Sequence, residues 1–568
     1  MWLKACSMNV LTSSIRSRPA AWFYIGWLII NLVQSYGTEL LHDEAYYWVY
    51  SQYPAWGYFD HPPMIAVLIK LGYLIFPNEL GVRLMMALMN TATLWLVHQL
   101  LIKKDDLLFY ALTASMGVLQ IGGILAVPDI PLTFFTALFF WQYKRFLEQD
   151  TWIQGLLLGI VMAGMLYSKY HGILIILFTL FSNWKLVLNP RAWVAVIAGV
   201  LLFFPHLYWQ YQHDFPSVSY HLKERNAPAF EFAFTLEYVA GQILLAGPLI
   251  GFLLLRASNR YKTTDLLARA LQWSMWGFYG FFLISTLKGR VEANWTVPAL
   301  IPVIILSHAW ISENLSQRKW IFKLVLPSLV LVVLVRVYML TDISGLTRIF
   351  KDEMHGNREW VKAIKEKSNG LPVVFLNSYQ RPSKYWFYSG DTSFAINTTY
   401  YRRNNYNFWP IEKEWQNRKV LVVDKDLGTI DNSFEIPTPR GITPALVNEK
   451  LQSFSHIRLS LSDKPPSFKN GQPVQLTVEV DKHSISELNQ LLKSSGQPNQ
   501  LVADLFVGKS MVQRLSLTPS PLQENTLTLT STENISLQPG EYIMKLGVAT
   551  SLPNLYSQNS PAIVIEVN

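Results

Sequence analysis

Charged residues are scarce in this chain. Of its 568 residues, 15% are charged and 51% are hydrophobic, whereas a soluble globular protein carries about 25% charged residues. This shortage excludes an ordinary soluble protein over most of the chain. It predicts a polytopic α-helical membrane protein, because long apolar segments need the bilayer as their solvent.

Cysteine is nearly absent as well. The one cysteine, Cys6, excludes an intramolecular disulfide framework and a zinc site built on cysteines. The formal net charge of +9 raises the alternative of a nucleic-acid partner. The basic residues are dispersed between apolar runs, however, so we interpret them as determinants of membrane topology and expect no nucleic-acid partner.

Eleven apolar stretches are predicted to cross a membrane, because about 20 apolar residues span the hydrocarbon core as a helix. They are residues 20–38, 83–102, 107–127, 130–147, 152–168, 170–184, 192–212, 237–255, 270–287, 295–312 and 320–340. The first follows Arg16 and Arg18 and has no small-residue cleavage site. This favours a retained span over a removed signal peptide.

The loops between these spans alternate in charge. With the N-terminus in the cytoplasm, every loop on that side is basic, as the positive-inside rule requires. The residues are Lys4, Arg16, Arg18, Lys103, Lys104, Lys144, Arg145, Lys185, Arg191, Arg256, Arg260, Lys262, Arg269, Arg318 and Lys319. This parity predicts a multi-pass protein of the cell (inner) membrane. Its C-terminal part, from about Asp342, is expected on the periplasmic or extracellular side.

The loops on the opposite side carry most of the acidic residues and several histidines. They are residues 39–82, 128–129, 168–171, 213–236 and 288–294. In the first, residues 43–53 and 64–76 have helical apolar periodicity but are too short or too polar at their flanks to span. We expect two helices that lie along the membrane interface there.

The stretch Leu41–Pro63 has an unusual composition. Eight of the 18 residues from Asp43 to Asp60 are aromatic, against 14% of the whole chain, and such rings favour a membrane–water interface. Asp43 and Glu44 are catalytic candidates, because a partly desolvated carboxylate holds a proton more tightly and suits a general base. The alternative is a solvated helix start, where acidic residues are common.

Two further acidic motifs contain prolines. In Asp60–His61–Pro62–Pro63 the prolines hold the preceding backbone extended, and His61 could bind a phosphate or a metal; the alternative is a surface turn. Asp129 could orient an acceptor sugar, or simply cap a helix. Asp43, Glu44 and Asp129 could also form an oxygen site for a divalent cation, so a metal cofactor is left open.

Basic residues at span ends complete the candidate set. Lys169 either extends harmlessly to the interface or binds a phosphate. Residues 288–295 are denser in polar groups than such an extension needs, and Arg290 is the preferred anion ligand there. His98 and His206, within spans, are interpreted as hydrogen-bonded core histidines. The substrate-binding candidates are Asp60, His61, Arg83, Asp129, Lys169, Tyr170, His171, Arg290, Glu292, Asn294 and Trp295.

The C-terminal part has the composition of soluble domains. Residues 342–450 combine a helical pattern with short apolar runs, which predicts an α/β unit. Residues 451–568 contain five or more short alternating strands separated by turn residues, which favours a β-sandwich. The predicted domains are therefore residues 1–341, with the interfacial loop 39–82, then residues 342–450 and 451–568.

The motifs resemble those of bacterial membrane glycosyltransferases of family 39, relatives of protein O-mannosyltransferases and of the aminoarabinose transferase that modifies lipid A. The resemblance covers roughly residues 20–420. Its motifs are D-E-A-Y-Y-W (43–48), W-G-Y-F-D-H-P-P (56–63), G-V-R-L (81–84), P-D-I-P-L (128–132), S-K-Y-H (168–171) and R-V-E-A-N-W (290–295). It implies the GT-C fold, a polyprenyl-phosphate-linked sugar donor and sugar transfer at the outer membrane face.

By position, Asp43 matches the essential acidic residue in the first outer loop of this family. Asp60 and His61 match its acidic–basic pair before two prolines. The lipid A enzyme carries lysine where this chain has His61, which is a weaker and pH-dependent phosphate ligand. This departure argues against an aminoarabinose role, and the resemblance does not extend to the predicted β-sandwich.

The sequence therefore predicts an inverting membrane glycosyltransferase whose partners are a polyprenyl-phosphate sugar, membrane lipid and a glycan, lipid or protein acceptor. Two alternatives stay open. A transporter or flippase of a lipid-linked sugar would place ionisable residues near the bilayer midplane, often in repeated halves. A sensor that binds cell-wall material through the β-sandwich would need fewer spans as its anchor.

Overall fold

The computed structural model describes residues 18–213, 215–219, 230–342, 352–425, 427, 430–462, 467–481, 484–494, 500–508 and 510–568. The predictions on Cys6, Lys4 and Arg16, and on part of the outer segment 213–236, lie outside these residues. The chain divides into two compact units, Met1–His355 and Gly356–Asn568. The finer division at residues 341 and 450 stays a prediction.

The first unit is built of helices. They are α1 (Arg18–Gly37), α2 (His42–Gln52), α3 (Met64–Ile75), α4 (Glu79–Gln99), α5 (Asp106–Ser115), α6 (Gly117–Gln120), α7 (Asp129–Gln149), α8 (Trp152–Ser168), α9 (Gly172–Ser182), α10 (Pro190–Gln212), α11 (Pro216–Ser219), α12 (Phe232–Ala246), α13 (Gly251–Arg260), α14 (Leu266–Ser285), α15 (Leu300–Glu313) and α16 (Leu315–Leu340). Short 3₁₀ helices lie at Gly122–Ile124, Trp184–Leu188 and Ala293–Ala299. Side-chain oxygens of Asp105, Thr151 and Asp265 accept first-turn amides, which explains why α5, α8 and α14 begin there.

Every predicted span coincides with a helix or with a bent pair of helices. Among the described residues, four helices are long and apolar enough to cross a membrane, and the number is six if each bent pair is one span. The apolar helices α8 and α9 are shorter, at 17 and 11 residues. The count of eleven spans stays a prediction.

Two predicted spans are bent rather than straight. α5 meets the segment Gly117–Ile124 at 80°, and α12 meets α13 at 89°. Near the first bend, the hydroxyls of Thr113 and Ser115 donate to carbonyls one turn back, at 2.9 and 2.7 Å, and such bonds bend helices. At the second, Gly247 has a φ of 138° and Pro248 follows it, so α12 cannot continue.

The first outer loop contains the two short helices that the sequence predicts, α2 and α3. Residues 44–51 of α2 are all buried, including four aromatic rings. α3 and α4 form a close hairpin, because a Cβ on Gly72 would lie 2.1 Å from the carbonyl oxygen of Gly81. α2 is thus enclosed within the first unit, and its position relative to a membrane stays a prediction.

The second unit begins with an α/β region. Its elements are α17 (Asn357–Ser368), β1 (Val373–Leu376), α18 (Gln380–Ser389), β2 (Ser393–Ile396), α19 (Ile411–Trp415), β3 (Val420–Val423), β4 (Phe434–Thr438) and β5 (Gly441–Asn448). The sheet order is β2-β1-β3-β5-β4, with β1 parallel to β2 and β3. The three parallel strands are buried at every residue, as strands with both faces covered require.

The rest of the second unit is rich in β-strands. They are β6 (Leu459–Leu461), β7 (Ser467–Phe468), β8 (Pro473–Val480), β9 (Leu501–Val507), β10 (Ser510–Pro519), β11 (Thr526–Asn534), β12 (Gly540–Ala549), β13 (Tyr556–Gln558) and β14 (Ile563–Val567), with helix α20 (Ile485–Ser494). All nine strands belong to one hydrogen-bonded sheet of order β6-β8-β11-β10-β9-β12-β14-β7, with β13 beside β12. Their apolar residues gather in a single core. The region is β-rich, and its description as a sandwich stays a prediction.

A partly buried histidine joins α19 and α20 in the second unit. The two ring nitrogens of His456 lie 2.7 Å from Glu412 Oε2 and 2.7 Å from Glu487 Oε2. Burial lowers the pKa of His456, but the hydrogen bonds and charges of both glutamates outweigh it and the net pKa is raised. Burial likewise raises the pKa of Glu412, but His456 and neighbouring donors outweigh it and hold the net pKa below its usual value.

Candidate active site

Glu44 and Arg83 form an ion pair inside the first unit. Both side chains are fully buried, and Arg83 Nη2 lies 2.5 Å from Glu44 Oε2. Arg83 Nε donates to Glu44 Oε1 at 2.7 Å. The other guanidinium hydrogens go to the backbone oxygens of Ser35, Thr38 and Glu39 at the end of α1. Arg83 therefore binds the carbonyl end of α1 as well as Glu44.

Glu44 also holds two backbone amides. Its Oε1 accepts from the amide of Ala126 at 2.8 Å, and its Oε2 from the amide of Leu41 at 2.9 Å. All five N–H donors of Arg83 and both oxygens of Glu44 are thus used within the protein. This geometry favours structural roles for both, rather than the catalytic role expected of Glu44 and the substrate-binding role expected of Arg83.

Asp129 and Lys169 form a second buried ion pair. Lys169 Nζ lies 2.7 Å from Asp129 Oδ1, and the two side chains are 6% and 5% exposed. Asn294 Nδ2 donates to the other oxygen, Asp129 Oδ2, at 3.1 Å. Asp129 begins α7 and Lys169 directly follows α8. Three motifs that are far apart in the sequence therefore meet at helix ends.

Aromatic rings surround this pair. Lys169 Nζ lies 6.0 Å from the ring centroid of Trp295, within range of a cation–π attraction. The rings of His171 and Trp295 are 5.2 Å apart, and His171 contacts Phe282 edge-on at 5.0 Å. The predicted residues Asp129, Lys169, His171, Asn294 and Trp295 thus form one cluster.

A short loop connects the two ion pairs. Glu44 holds the amide of Ala126, and Asp129 lies three residues further along. Three residues span at most about 11 Å. Gly123, just before this loop, packs closely against Asn90, because a Cβ at position 123 would lie 2.1 Å from Asn90 Nδ2. The Glu44–Arg83 pair therefore supports the segment that presents Asp129 to Lys169.

Asp60 and His61 lie among the tyrosines of α2. Tyr50 Oη donates to Asp60 Oδ2 at 3.4 Å, and the rings of Tyr47 and His61 are 5.6 Å apart. Asp60 is 7% exposed. Burial raises the pKa of Tyr50, and Asp60 is among the further causes that raise it. Tyr50 therefore stays protonated as a donor.

Tyr170 brings this loop to Lys169. Tyr170 Oη lies 3.1 Å from Ser217 Oγ, which donates to the carbonyl of Phe59 at 2.7 Å. Ser217 Oγ also lies 3.3 Å from the carbonyl oxygen of Tyr58. The loop that leads to Asp60 is thus connected through Ser217 to the residue beside Lys169.

Two sequence comparisons found proteins similar to this chain. Residues 60–209 match the family described as dolichyl-phosphate-mannose-protein mannosyltransferase. The lipid A galacturonosyltransferase RgtD from Rhizobium johnstonii is 25% identical over 306 residues, which cover 50% of this chain and 62% of RgtD. The chain therefore spans less than two thirds of the length of that curated relative.

Solved structures of ArnT from Cupriavidus metallidurans have a similar fold. The apo crystal structure has a TM-score of 0.57 at 12% identity and covers 76% of this chain and 98% of ArnT. The structure bound to undecaprenyl phosphate has a TM-score of 0.54 at 11% identity, with the same coverage. The resemblance to GT-C glycosyltransferases is confirmed. The chain is a multi-pass membrane protein.

Arg290 lies outside the cluster formed by Asp129, Lys169, His171, Asn294 and Trp295. Its side chain is 64% exposed and Nε lies 3.2 Å from Glu237 Oε2, although Asn294 is only four residues later. Glu292 is exposed as well. Asp43, in the first turn of α2, is partly exposed, whereas its neighbour Glu44 is fully buried. Of the two acidic residues predicted as catalytic, Asp43 is therefore the one with exposed surface.

The described part of the chain contains no group of three or more His, Cys, Asp or Glu side chains that could hold a metal ion. The carboxylates of Asp43, Glu44 and Asp129, considered as an oxygen site from the sequence, do not form such a group. Glu44 pairs with Arg83, and Asp129 pairs with Lys169. Arg83 and Lys169 therefore supply the positive charges beside Glu44 and Asp129.

Sequence reasoning did not assign a role at the site to His206, Gln210 or Ser217. His206 is a hydrogen-bonded core histidine, as predicted, but its partners are the carbonyl of Trp56 and Tyr170 Oη. Its spacing of four residues from Gln210 places both on one face of α10. This pair of polar residues within an apolar span is the sequence feature from which a role at the site could have been predicted.

Proposed function

We propose that this protein is an integral membrane glycosyltransferase. It moves a sugar from a polyprenyl-phosphate-linked donor to a hydroxyl of a cell-envelope glycan, lipid or protein, with inversion at the anomeric carbon. Transfer takes place on the outer face of the inner membrane. The N-terminus lies in the cytoplasm and the second unit lies on the periplasmic or extracellular side, as the charge parity of the loops predicts.

The observation that carries this proposal is the environment of Lys169. Its ammonium is buried, is held by Asp129 and faces the ring of Trp295. An ammonium has three N–H donors, and the bond to Asp129 uses one. The others can bind the oxygens of a phosphate. A cation fixed in a site of low dielectric stabilises a departing phosphate more strongly than one in water.

The comparisons support the same donor chemistry. The related ArnT structure is bound to undecaprenyl phosphate, and RgtD is a lipid A galacturonosyltransferase. The family that matches residues 60–209 is named for a dolichyl-phosphate-linked sugar. A polyprenyl phosphate is common to the first and last of these descriptions. The sugars they name differ, so the transferred sugar is a matter for experiment.

The proposed reaction is a single displacement. The acceptor oxygen attacks the anomeric carbon, the bond from that carbon to the phosphate oxygen breaks, and the phosphate leaves with the bonding electrons. The proton of the acceptor hydroxyl passes to Asp43. Lys169 binds the leaving phosphate, with His61 and Tyr170 beside it. Arg290 would have to leave Glu237 to join them, because the two are paired in the structure.

A transporter or flippase is the second candidate function. It would need ionisable groups near the middle of the membrane. Here Asp129 begins a helix and Lys169 follows the end of another, which favours an enzyme with its site at one face.

Purified protein incubated with a radiolabelled polyprenyl-phosphate sugar separates the two functions. An enzyme transfers label to an added envelope acceptor, whereas a flippase moves the labelled lipid across sealed vesicles without transfer. Asp43→Asn should abolish transfer while expression and the unfolding temperature stay as in the wild type. Glu313→Gln, in an exposed pair with Lys103, is the matched control and should transfer normally. Near-wild-type transfer by Asp43→Asn would overturn the assignment of the base.

A further inference from the structure

His206 connects two parts of the site from a third element. It lies in α10 and is fully buried. Its Nδ1 is 2.7 Å from the carbonyl oxygen of Trp56, in the loop that leads to Asp60. Its Nε2 is 2.9 Å from Tyr170 Oη, next to Lys169. One ring thus touches both the first outer loop and the segment that carries Lys169.

The hydrogens in this arrangement follow from the chemistry of the partners. A backbone carbonyl can only accept, so Nδ1 carries the proton. In the neutral ring Nε2 is then an acceptor that needs a donor. The Tyr170 hydroxyl has a single hydrogen, which goes to Nε2 at 2.9 Å rather than to Ser217 Oγ at 3.1 Å. The carbonyl of Trp56 therefore determines the tautomer of His206, and the tautomer determines the direction of the Tyr170 hydroxyl.

Neighbouring residues of α10 complete the contact. Gln210, one turn after His206, donates to Tyr170 Oη at 3.1 Å and to Ser217 Oγ at 3.0 Å. The loop lies so close to the helix that a Cβ on Gly57 would be 2.4 Å from the ring of Trp209. A side chain at position 57 would push the loop away from His206.

We infer that His206 is a positioning residue that holds the loop Trp56–His61 against the segment Lys169–His171. The expected effect of His206 on kcat rests on the proposed function. Its expected effect on the position of the loop does not. His206 acts through the carbonyl of Trp56 and the hydroxyl of Tyr170, and it does not touch the reacting atoms. Without its two hydrogen bonds, the loop that carries Asp60 and His61 would lose this connection to the segment that carries Lys169.

The test compares His206→Leu with His206→Gln in the full-length protein. Leucine removes both hydrogen bonds, whereas glutamine keeps one donor and one acceptor in a side chain of similar reach. His308→Leu is the control for loss of a buried histidine. His308 is also fully buried and bonds a backbone carbonyl, that of Asp105, at 2.9 Å, away from the site.

We expect His206→Leu to lower kcat at least about 10-fold, because small misplacements of reacting groups slow chemistry strongly. KM for the donor should change less than kcat. His206→Gln should recover most of kcat, and His308→Leu should keep it. If His206→Leu and His308→Leu have equal kcat, the inference is wrong. Tyr170→Phe, which removes a single hydroxyl, should reproduce part of the kcat loss if His206→Leu does not fold.

Hydrogen–deuterium exchange tests the structural claim without any activity. Peptides covering residues 55–62 should exchange faster in His206→Leu than in the wild type, and faster than in His308→Leu. Unchanged protection of that loop in His206→Leu would overturn the inference. Absence of transfer by the wild type would contradict the proposed function instead, and the exchange measurement would still decide the role of His206.

Discussion

The buried pair of Asp129 and Lys169 offers a quantitative test of the site. Asp129→Asn keeps the shape of the side chain but removes its negative charge, which leaves the ammonium of Lys169 buried without a counter-charge. The structure places the two groups 2.7 Å apart with 5–6% of each side chain exposed. Removal of one partner from such a pair costs about 3–5 kcal/mol. We expect this loss in the free energy of unfolding for Asp129→Asn and for Lys169→Met.

The double variant separates the charge interaction from shape. With both charges removed, no uncompensated charge stays buried, so the double loss should be smaller than the sum of the single losses by about 1–3 kcal/mol. Titration with SDS in mixed micelles, followed by circular dichroism, measures these energies. The exposed pair Lys103–Glu313 has the same N–O distance of 2.7 Å with side chains 48% and 57% exposed. Glu313→Gln should therefore have a much smaller effect, because solvent screens that pair.

Sugar transfer by the same variants tests the phosphate role of Lys169. The double variant should be more stable than the sum of the two single losses predicts. Its sugar transfer should nevertheless stay as low as that of Lys169→Met, because no cation is left to bind the phosphate. Additive single losses would show that the pair is not coupled. Recovery of transfer in the double variant would show that Lys169 has only a structural role.

Three further predictions address other parts of the molecule. Arg83→Lys should destabilise the first unit by about 3 kcal/mol or more in the same titration, because one ammonium cannot replace five N–H donors around Glu44. Gly57→Ala should lower transfer and cost about 1–3 kcal/mol through overpacking, whereas Gly280→Ala, where the new methyl group meets nothing within 4 Å, should be neutral or slightly stabilising in that assay. In the second unit, folding raises the pKa of His456 above its ordinary value of 6.5. The stabilisation from its positive charge is therefore fully present at pH values below 6.5 and is lost as the pH rises through the folded-state pKa. Thermal unfolding followed by circular dichroism should show a fall in stability on going from about pH 6 to about pH 9 that His456→Gln removes; an equal fall in that variant would contradict the assignment.

Composition and hydrophobic periodicity alone predict much of the architecture. The low charge content and the apolar runs predict a helical membrane protein, and a helix or bent pair coincides with each predicted span. The motif residues Asp129, Lys169, His171, Asn294 and Trp295 were also found from the sequence. Local patterns are informative here because helix formation and membrane insertion depend on residues that are neighbours in the chain.

The tertiary structure decided which of these residues act together. Glu44 and Arg83 are 39 residues apart, and Asn294 and Asp129 are 165 apart. Helical periodicity places residues on a face of their own helix but does not specify which acid on one helix meets which base on another. The sequence predicted a catalytic role for Glu44 and a substrate-binding role for Arg83. Only the packing of α1, α2 and α4 showed that the two side chains are saturated by each other and by backbone groups. The bond from Lys169 to Asp129, in contrast, uses one of the three N–H donors of its ammonium.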